Sequence, residues 1–168
     1  MTSFEVQQRN QAVLDNLQPG DLLEFDRGLI NHWAVYIGSE EVVHFFGDCG
    51  GRDQNSQCKT CVTSTWKGLV RKDAFFDVVG NSKVNKNNSK DKQLKAFQQR
   101  EIVDRALSEE LREFKYNIVF QNCEHFATWC RYGKQESDQA NRALTRLGVG
   151  ALILSGAVLL GLLFASRK

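Results

Sequence analysis

An α+β domain with an antiparallel sheet packed on helices, plus a C-terminal transmembrane helix, is the architecture expected of this chain. Short strand-like runs crowd the first half, helical periodicity takes over in the second, and an uncharged apolar stretch follows at the C-terminal end.

Taken in order, Phe4, Val6, Val13, Leu14 and Leu17 lie among polar neighbours in a short helix that Pro19-Gly20 ends. Strand-like runs follow at 22–25, 33–37, 41–46, 69–71 and 75–79, with a weaker one at 62–66. Residues 81–95 carry Lys83, Lys86, Lys90, Lys92 and Lys95 and read as a flexible insertion or a mobile strand end. From Ala96 the period changes. Val103, Leu107, Leu111 and Phe114 recur at helical spacing, with Ile102 and Ala106 beside them. A second helix is expected from near Asn122 to Tyr132, with Gly133 as its stop and Cys123, Phe126, Ala127 and Cys130 facing inward.

Residues 147–165 contain no charge. As a helix rising about 1.5 Å per residue they would extend about 28 Å, close to the roughly 30 Å hydrocarbon core of a bilayer. Arg142 and Arg146 precede the stretch, and Arg167 and Lys168 follow it, where they can snorkel to the headgroups. The expected organisation is a folded domain over 1–140 and a membrane anchor over 141–168, spanning at about 147–165. A tail anchor of this kind places the domain in the cytosol, and its basic tip fits the endoplasmic reticulum, peroxisome and mitochondrial outer membrane alike.

Composition narrows the function. With 168 residues and a formal net charge of +2, nothing calls for a nucleic-acid partner. The five cysteines are an odd number, and the N-terminus lacks the basic start and apolar run of a secretory signal. Free thiols in a reducing compartment are expected. Cys58 and Cys61 form a Cys-x-x-Cys pair, but no second pair completes a zinc set, so no metal and no cofactor are expected.

Two segments carry chemistry. In the hairpin of residues 31–45, a three-residue loop at Gly38-Ser39-Glu40 would set Ile37 against Glu41, Val35 against Val43 and Trp33 against Phe45. His32, Ala34 and His44 then share the other face, with the histidines diagonal neighbours roughly 7–8 Å apart at the backbone. One imidazole can then fix the tautomer of the other. On spacing alone, two unrelated surface histidines fit as well. Cys123 opens a helix, where unpaired N–H groups and the helix dipole favour thiolate. His125 is a poor base for it, since two residues along a helix point apart. A lone cysteine is, however, more often a buried core residue than a nucleophile.

Asn122-Cys123-Glu124-His125-Phe126, followed by Arg131-Tyr132-Gly133, resembles the signature of the lecithin retinol acyltransferase superfamily. Within it, the phospholipase A and acyltransferase family, or HRAS-like suppressors, is the closer match. His32-Trp33-Ala34-Val35-Tyr36-Ile37-Gly38, His44, and the opening Pro19-Gly20-Asp21-Leu22 are similar to that family's pattern. The resemblance implies a circularly permuted papain-like fold of the NlpC type. It also implies a phospholipase A1/A2 and acyltransferase working through an acyl-cysteine thioester. Cys123 would be the nucleophile, His32 the general base and acid, and His44 the group that orients His32. Arg27 resembles a family arginine and would bind phosphate or the oxyanion, though a surface arginine fits that position equally. The implied partners are glycerophospholipids in a membrane, with phosphatidylcholine as acyl donor and phosphatidylethanolamine or a lysophospholipid as acceptor. A cysteine peptidase-like hydrolase and a non-catalytic membrane adaptor are the alternatives.

Overall fold

A computed structural model describes residues 2–28, 31–47, 66–116 and 123–138. The chain divides into two compact units, Met1–Ser137 and Asp138–Lys168, and all the elements described below belong to the first. Helix α1 spans Ser3–Leu14, and strands β1, β2 and β3 span Leu22–Asp26, His32–Gly38 and Glu41–Gly47. Strand β4 (Trp66–Ala74) runs into the short helix α2 (Phe75–Val79), followed by β5 (Lys83–Lys86). Helix α3 (Gln99–Ser108), strand β6 (Glu113–Tyr116) and helix α4 (Cys123–Tyr132) complete the described order. The strands form one sheet in the order β5-β1-β2-β3-β4-β6, and every neighbouring pair is antiparallel.

The expectation of an α+β, permuted papain-like domain carrying a transmembrane helix needs correction. The described residues form an antiparallel sheet with helices, but among them no helix is long and apolar enough to cross a membrane. The stretch at 147–165 on which that expectation rested lies outside the described residues.

Both faces of the sheet are covered, which explains why β1 and β2 read as almost unbroken apolar runs rather than alternating ones. On one face Leu22, Trp33, Val35, Val43, Phe45 and Val70 pack against Ile102 and Ala106 of α3 and Cys123, Phe126, Ala127 and Cys130 of α4. On the other, Leu23, Phe25, Ala34, Tyr36 and Val42 pack against Leu14 of α1 and Phe75, Val78 and Val79 of α2. The inward stripe predicted for α4 is therefore the one observed.

Several elements differ from their sequence signals. Residues 75–79 form a helix instead of a strand, because Phe75, Val78 and Val79 at helical spacing all reach one core. Helix α3 stops at Ser108 and buries Ile102 and Ala106. Leu107 and Leu111 are exposed, and Phe114 belongs to β6. The lysine-rich stretch is structured: it supplies edge strand β5 and a 3₁₀ turn at Ser89–Lys92. Side-chain amides fasten it to β1 and to the residue before it, with Asn87 Nδ2 donating to Glu24 Oε2 at 2.6 Å and Asn88 Nδ2 to Asp21 Oδ1 at 2.8 Å. Buried Asn10 closes the other side, donating to the Ser82 carbonyl and accepting from the Val84 N–H. Of the run at 62–66, only Trp66 falls among the described residues, where it begins β4.

Gly133 ends α4 in the left-handed region (φ +71°), and a Cβ there would come within 3.0 Å of Phe97 Cζ. Gly133→Ala should therefore destabilise the domain by about 1–2 kcal/mol from backbone strain alone. A urea midpoint unchanged from wild type would contradict this.

Candidate active site

The site is built from one row of side chains across the sheet and one helix start. Strand β2 meets β3 with Ala34 opposite His44 and Val35 opposite Val43. The turn, however, consists of Ser39 and Glu40 alone, both at positive φ, as a type I′ turn requires. A bulge between Tyr36 and Gly38 sets Gly38, rather than Ile37, against Glu41. The bulge absorbs the difference in loop length, so the histidine register stays as expected.

That register brings His32 and His44 together. His32 Nε2 lies 2.9 Å from His44 Nδ1, and the rings meet edge to face at 5.0 Å between centroids. Phe25, opposite His32 on β1, packs its ring 5.6 Å away. His44 is 4% exposed, and its Nε2 bonds Asp73 Oδ2 on β4 at 2.8 Å. Arg71 Nη2 donates to the other oxygen, Oδ1, at 2.7 Å. The sequence alone does not single out Asp73 and Arg71. Their signal was the alternation Arg71-x-Asp73 on β4, which is readable only once Arg71 is known to pair opposite His44.

Cys123 is the first residue of α4, as its sequence position predicts, and is 3% exposed. Its thiol donates to the Asn31 carbonyl at 3.7 Å, so the sulfur lies against the backbone beside His32 and is bonded there rather than to the ring. Arg27 follows β1. Its Nη2 donates to the Val78 carbonyl at 2.9 Å, and its charge acts on Cys123, His32 and His44. All four predicted residues thus gather at the start of β2. His125 belongs to α4, and its own neighbour Glu124 is the charge acting on it.

Electrostatics set the resting protonation. Burial pushes the Cys123 thiol up to about 11, with Glu124 adding to the rise. The Trp33 and Glu124 N–H groups and Arg27 act in the opposite sense. The helix start therefore does not win: desolvation of the anion outweighs it, and the resting sulfur is a neutral thiol rather than the expected thiolate. Burial likewise holds His32 well below its ordinary value, reinforced by Arg27 and His44. His44 is also lowered by burial, against the pull of Asp73. Its bond to His44 and the Arg71 guanidinium keep the Asp73 carboxyl below the usual carboxylate range. At neutral pH the set is thiol, neutral imidazole, neutral imidazole and carboxylate, the group types that general-base-assisted attack by a thiol requires. Among the described residues no group of side chains is placed to hold a metal ion.

A profile of the lecithin retinol acyltransferase family matches residues 15–136. The chain belongs to that family. It is similar to human phospholipase A and acyltransferase 3, with 33% identity over 162 residues, covering 94% of this chain and 97% of the relative. Human phospholipase A and acyltransferase 2 is 37% identical over 153 residues, covering 89% and 91% of the two chains. The mouse phospholipase A and acyltransferase 1 is 37% identical over 153 residues, covering 91% and 90%. The resemblance drawn from the cysteine block and the histidine hairpin therefore extends over most of the chain.

Two measurements follow from the site's electrostatics. Thiolate absorbance in wild type minus Cys123→Ser should titrate near pH 11; a step near neutrality would show a resting ion pair instead. His32, His44 and His125 are all held below their ordinary value. As pH falls through about 6.5 the unfolded chain takes up protons that the folded chain refuses, so stability drops. The urea midpoint should thus be lower at pH 5.5 than at pH 7.5, less so in His32→Gln, and a midpoint independent of pH would refute the assignment.

Proposed function

We propose that this chain is a thiol-dependent phospholipase A and acyltransferase acting on glycerophospholipids at a membrane surface. The observation that carries the proposal is the 2.9 Å contact between His32 and His44 beside a helix that begins with Cys123, in a chain of the lecithin retinol acyltransferase family. The names of the relatives support phospholipid chemistry.

In the proposed cycle His32 takes the proton from Cys123 as the sulfur leaves the Asn31 carbonyl and attacks an ester carbonyl of phosphatidylcholine. The tetrahedral intermediate collapses, the C–O bond breaks, and His32 returns the proton to the departing lysophospholipid oxygen. The acyl chain is now a thioester on Cys123. Water, the amine of phosphatidylethanolamine or the hydroxyl of a lysophospholipid then attacks, giving up a proton to His32. The sulfur leaves and recovers that proton. The products are a fatty acid, an N-acyl phospholipid or a re-esterified lipid respectively. His44 orients His32, and Arg27 faces the phosphate or the developing oxyanion. The neutral resting thiol suits a site that must wait for lipid, because ionisation is coupled to attack. A functional thiol needs a reducing compartment.

The test is full-length protein with vesicles of phosphatidylcholine and phosphatidylethanolamine, followed by mass spectrometry of lipids and intact protein. Fatty acid, lysolipid and N-acyl product should appear with an acyl mass on Cys123. Cys123→Ser should lose the adduct, and His32→Ala should lower turnover by at least about 100-fold. Absence of every lipid product, with cleavage of peptides instead, would overturn the proposal.

A further inference from the structure

We propose that Asp73, held in place by Arg71, is a positioning residue that dictates the tautomers of both histidines and so presents His32 Nδ1 as the base. This rests on the function proposed above. It stands on the geometry of three adjacent strands. Asp73 and Arg71 share one face of β4, with Arg71 opposite His44 and Asp73 opposite Val42. Each carboxylate oxygen is committed, Oδ1 to Arg71 at 2.7 Å and Oδ2 to His44 Nε2 at 2.8 Å. The Arg71 guanidinium is itself laid over the Phe46 ring, 4.7 Å from its centroid.

An ionised carboxylate only accepts hydrogen bonds. The proton on His44 must therefore be on Nε2, which leaves a lone pair on Nδ1. That lone pair is 2.9 Å from His32 Nε2, so His32 must carry its proton there. In a neutral ring the remaining nitrogen, Nδ1, is then bare. Asp73 thus fixes the protonation of His32 through two hydrogen bonds without touching substrate. The charged and titratable groups that face His44 are Asp73 and Arg71 from β4, His32 from β2, and Arg27 beyond the end of β1. Among these only Asp73 is an acceptor at neutral pH that is unable to donate, so only Asp73 imposes a direction on the chain of bonds. Asp73 is 22% exposed on its side chain, enough contact with water to keep the carboxylate charged while His44 stays buried.

The experiment uses full-length protein in detergent micelles with ¹⁵N-labelled histidine. Long-range ¹H–¹⁵N correlations read the tautomer of each ring, assigned through single His→Gln variants. In wild type near neutral pH both His32 and His44 should be Nε2–H. An Nδ1–H tautomer at either would overturn the proposal without reference to any lipid assay. Asp73→Asn keeps the shape but adds a donor, so the His44 signal should become a mixture of tautomers. With vesicle substrate its kcat should fall roughly 10- to 100-fold, short of the loss from removing a general base itself, while KM stays within about twofold of wild type. Asp73→Glu should recover part of the loss. A folded Asp73→Asn protein with wild-type turnover would sink the inference and leave the proposed function standing. If wild type turned over no lipid, the proposed function would fail, and the tautomers would still decide the role of Asp73.

Discussion

The site depends on the register of one strand pair. Because Ala34 faces His44 across β2 and β3, His32 falls diagonally beside it, and the two imidazoles come within hydrogen-bond distance. A slip of one residue would send His44 into the core on the other face, since side chains alternate. Two devices guard against that. Ser39 and Glu40 accept positive φ to form a tight turn, and the bulge beside Gly38 takes up the residue that the turn leaves over. The apolar rows behind the histidines add a larger constraint. Val35 and Val43 pack under α4 while Ala34 and Val42 pack under α2, so both cores would have to empty for the strands to shift.

Burial then decides the chemistry. The same packing that fixes the register buries Cys123 and His44 and half-buries His32, and each is displaced toward its neutral form. A helix start and a neighbouring arginine are too little to hold a resting thiolate against that cost. A charge is kept where water still reaches, at Asp73, and a chain of hydrogen bonds joins it through His44 to His32.

Much of this was legible in the sequence, for reasons that can be named. The histidine face followed from a period of two, which has no alternative once a turn is placed. The start and inward stripe of α4 followed from Cys123, Phe126, Ala127 and Cys130 at helical spacing and from the glycine that ends the helix. Elements that depend on a distant partner were not legible. Residues 75–79 are as β-prone as any strand and become helical because a core lies on one side of them. The lysine-rich stretch reads as mobile because its order comes from Asn87 meeting Glu24 on β1 and Asn88 meeting Asp21 just before it. The burial of Ile102 and Ala106 in place of Val103 and Leu107 was a choice between adjacent stripes that only the facing sheet could make. Asp73 went unnoticed for the same reason, since its meaning lies in β3.

Helix α4 is tethered at both ends. Its first residue bears the sulfur, and near its last turn Arg131 donates to the Gly20 carbonyl at 2.8 Å and forms a two-pronged pair with Asp91. Tyr132 bonds the same carboxylate. A helix of this length carries its two ends about 15 Å apart, so the height at which the sulfur is presented is set in part by a carboxylate in the 3₁₀ turn, at the opposite end of the helix. Natural variation at Asp91 would therefore show itself as a defect in catalysis with Cys123, His32 and His44 all intact, and a catalogue of damaging alleles drawn up from those three residues alone would pass over it.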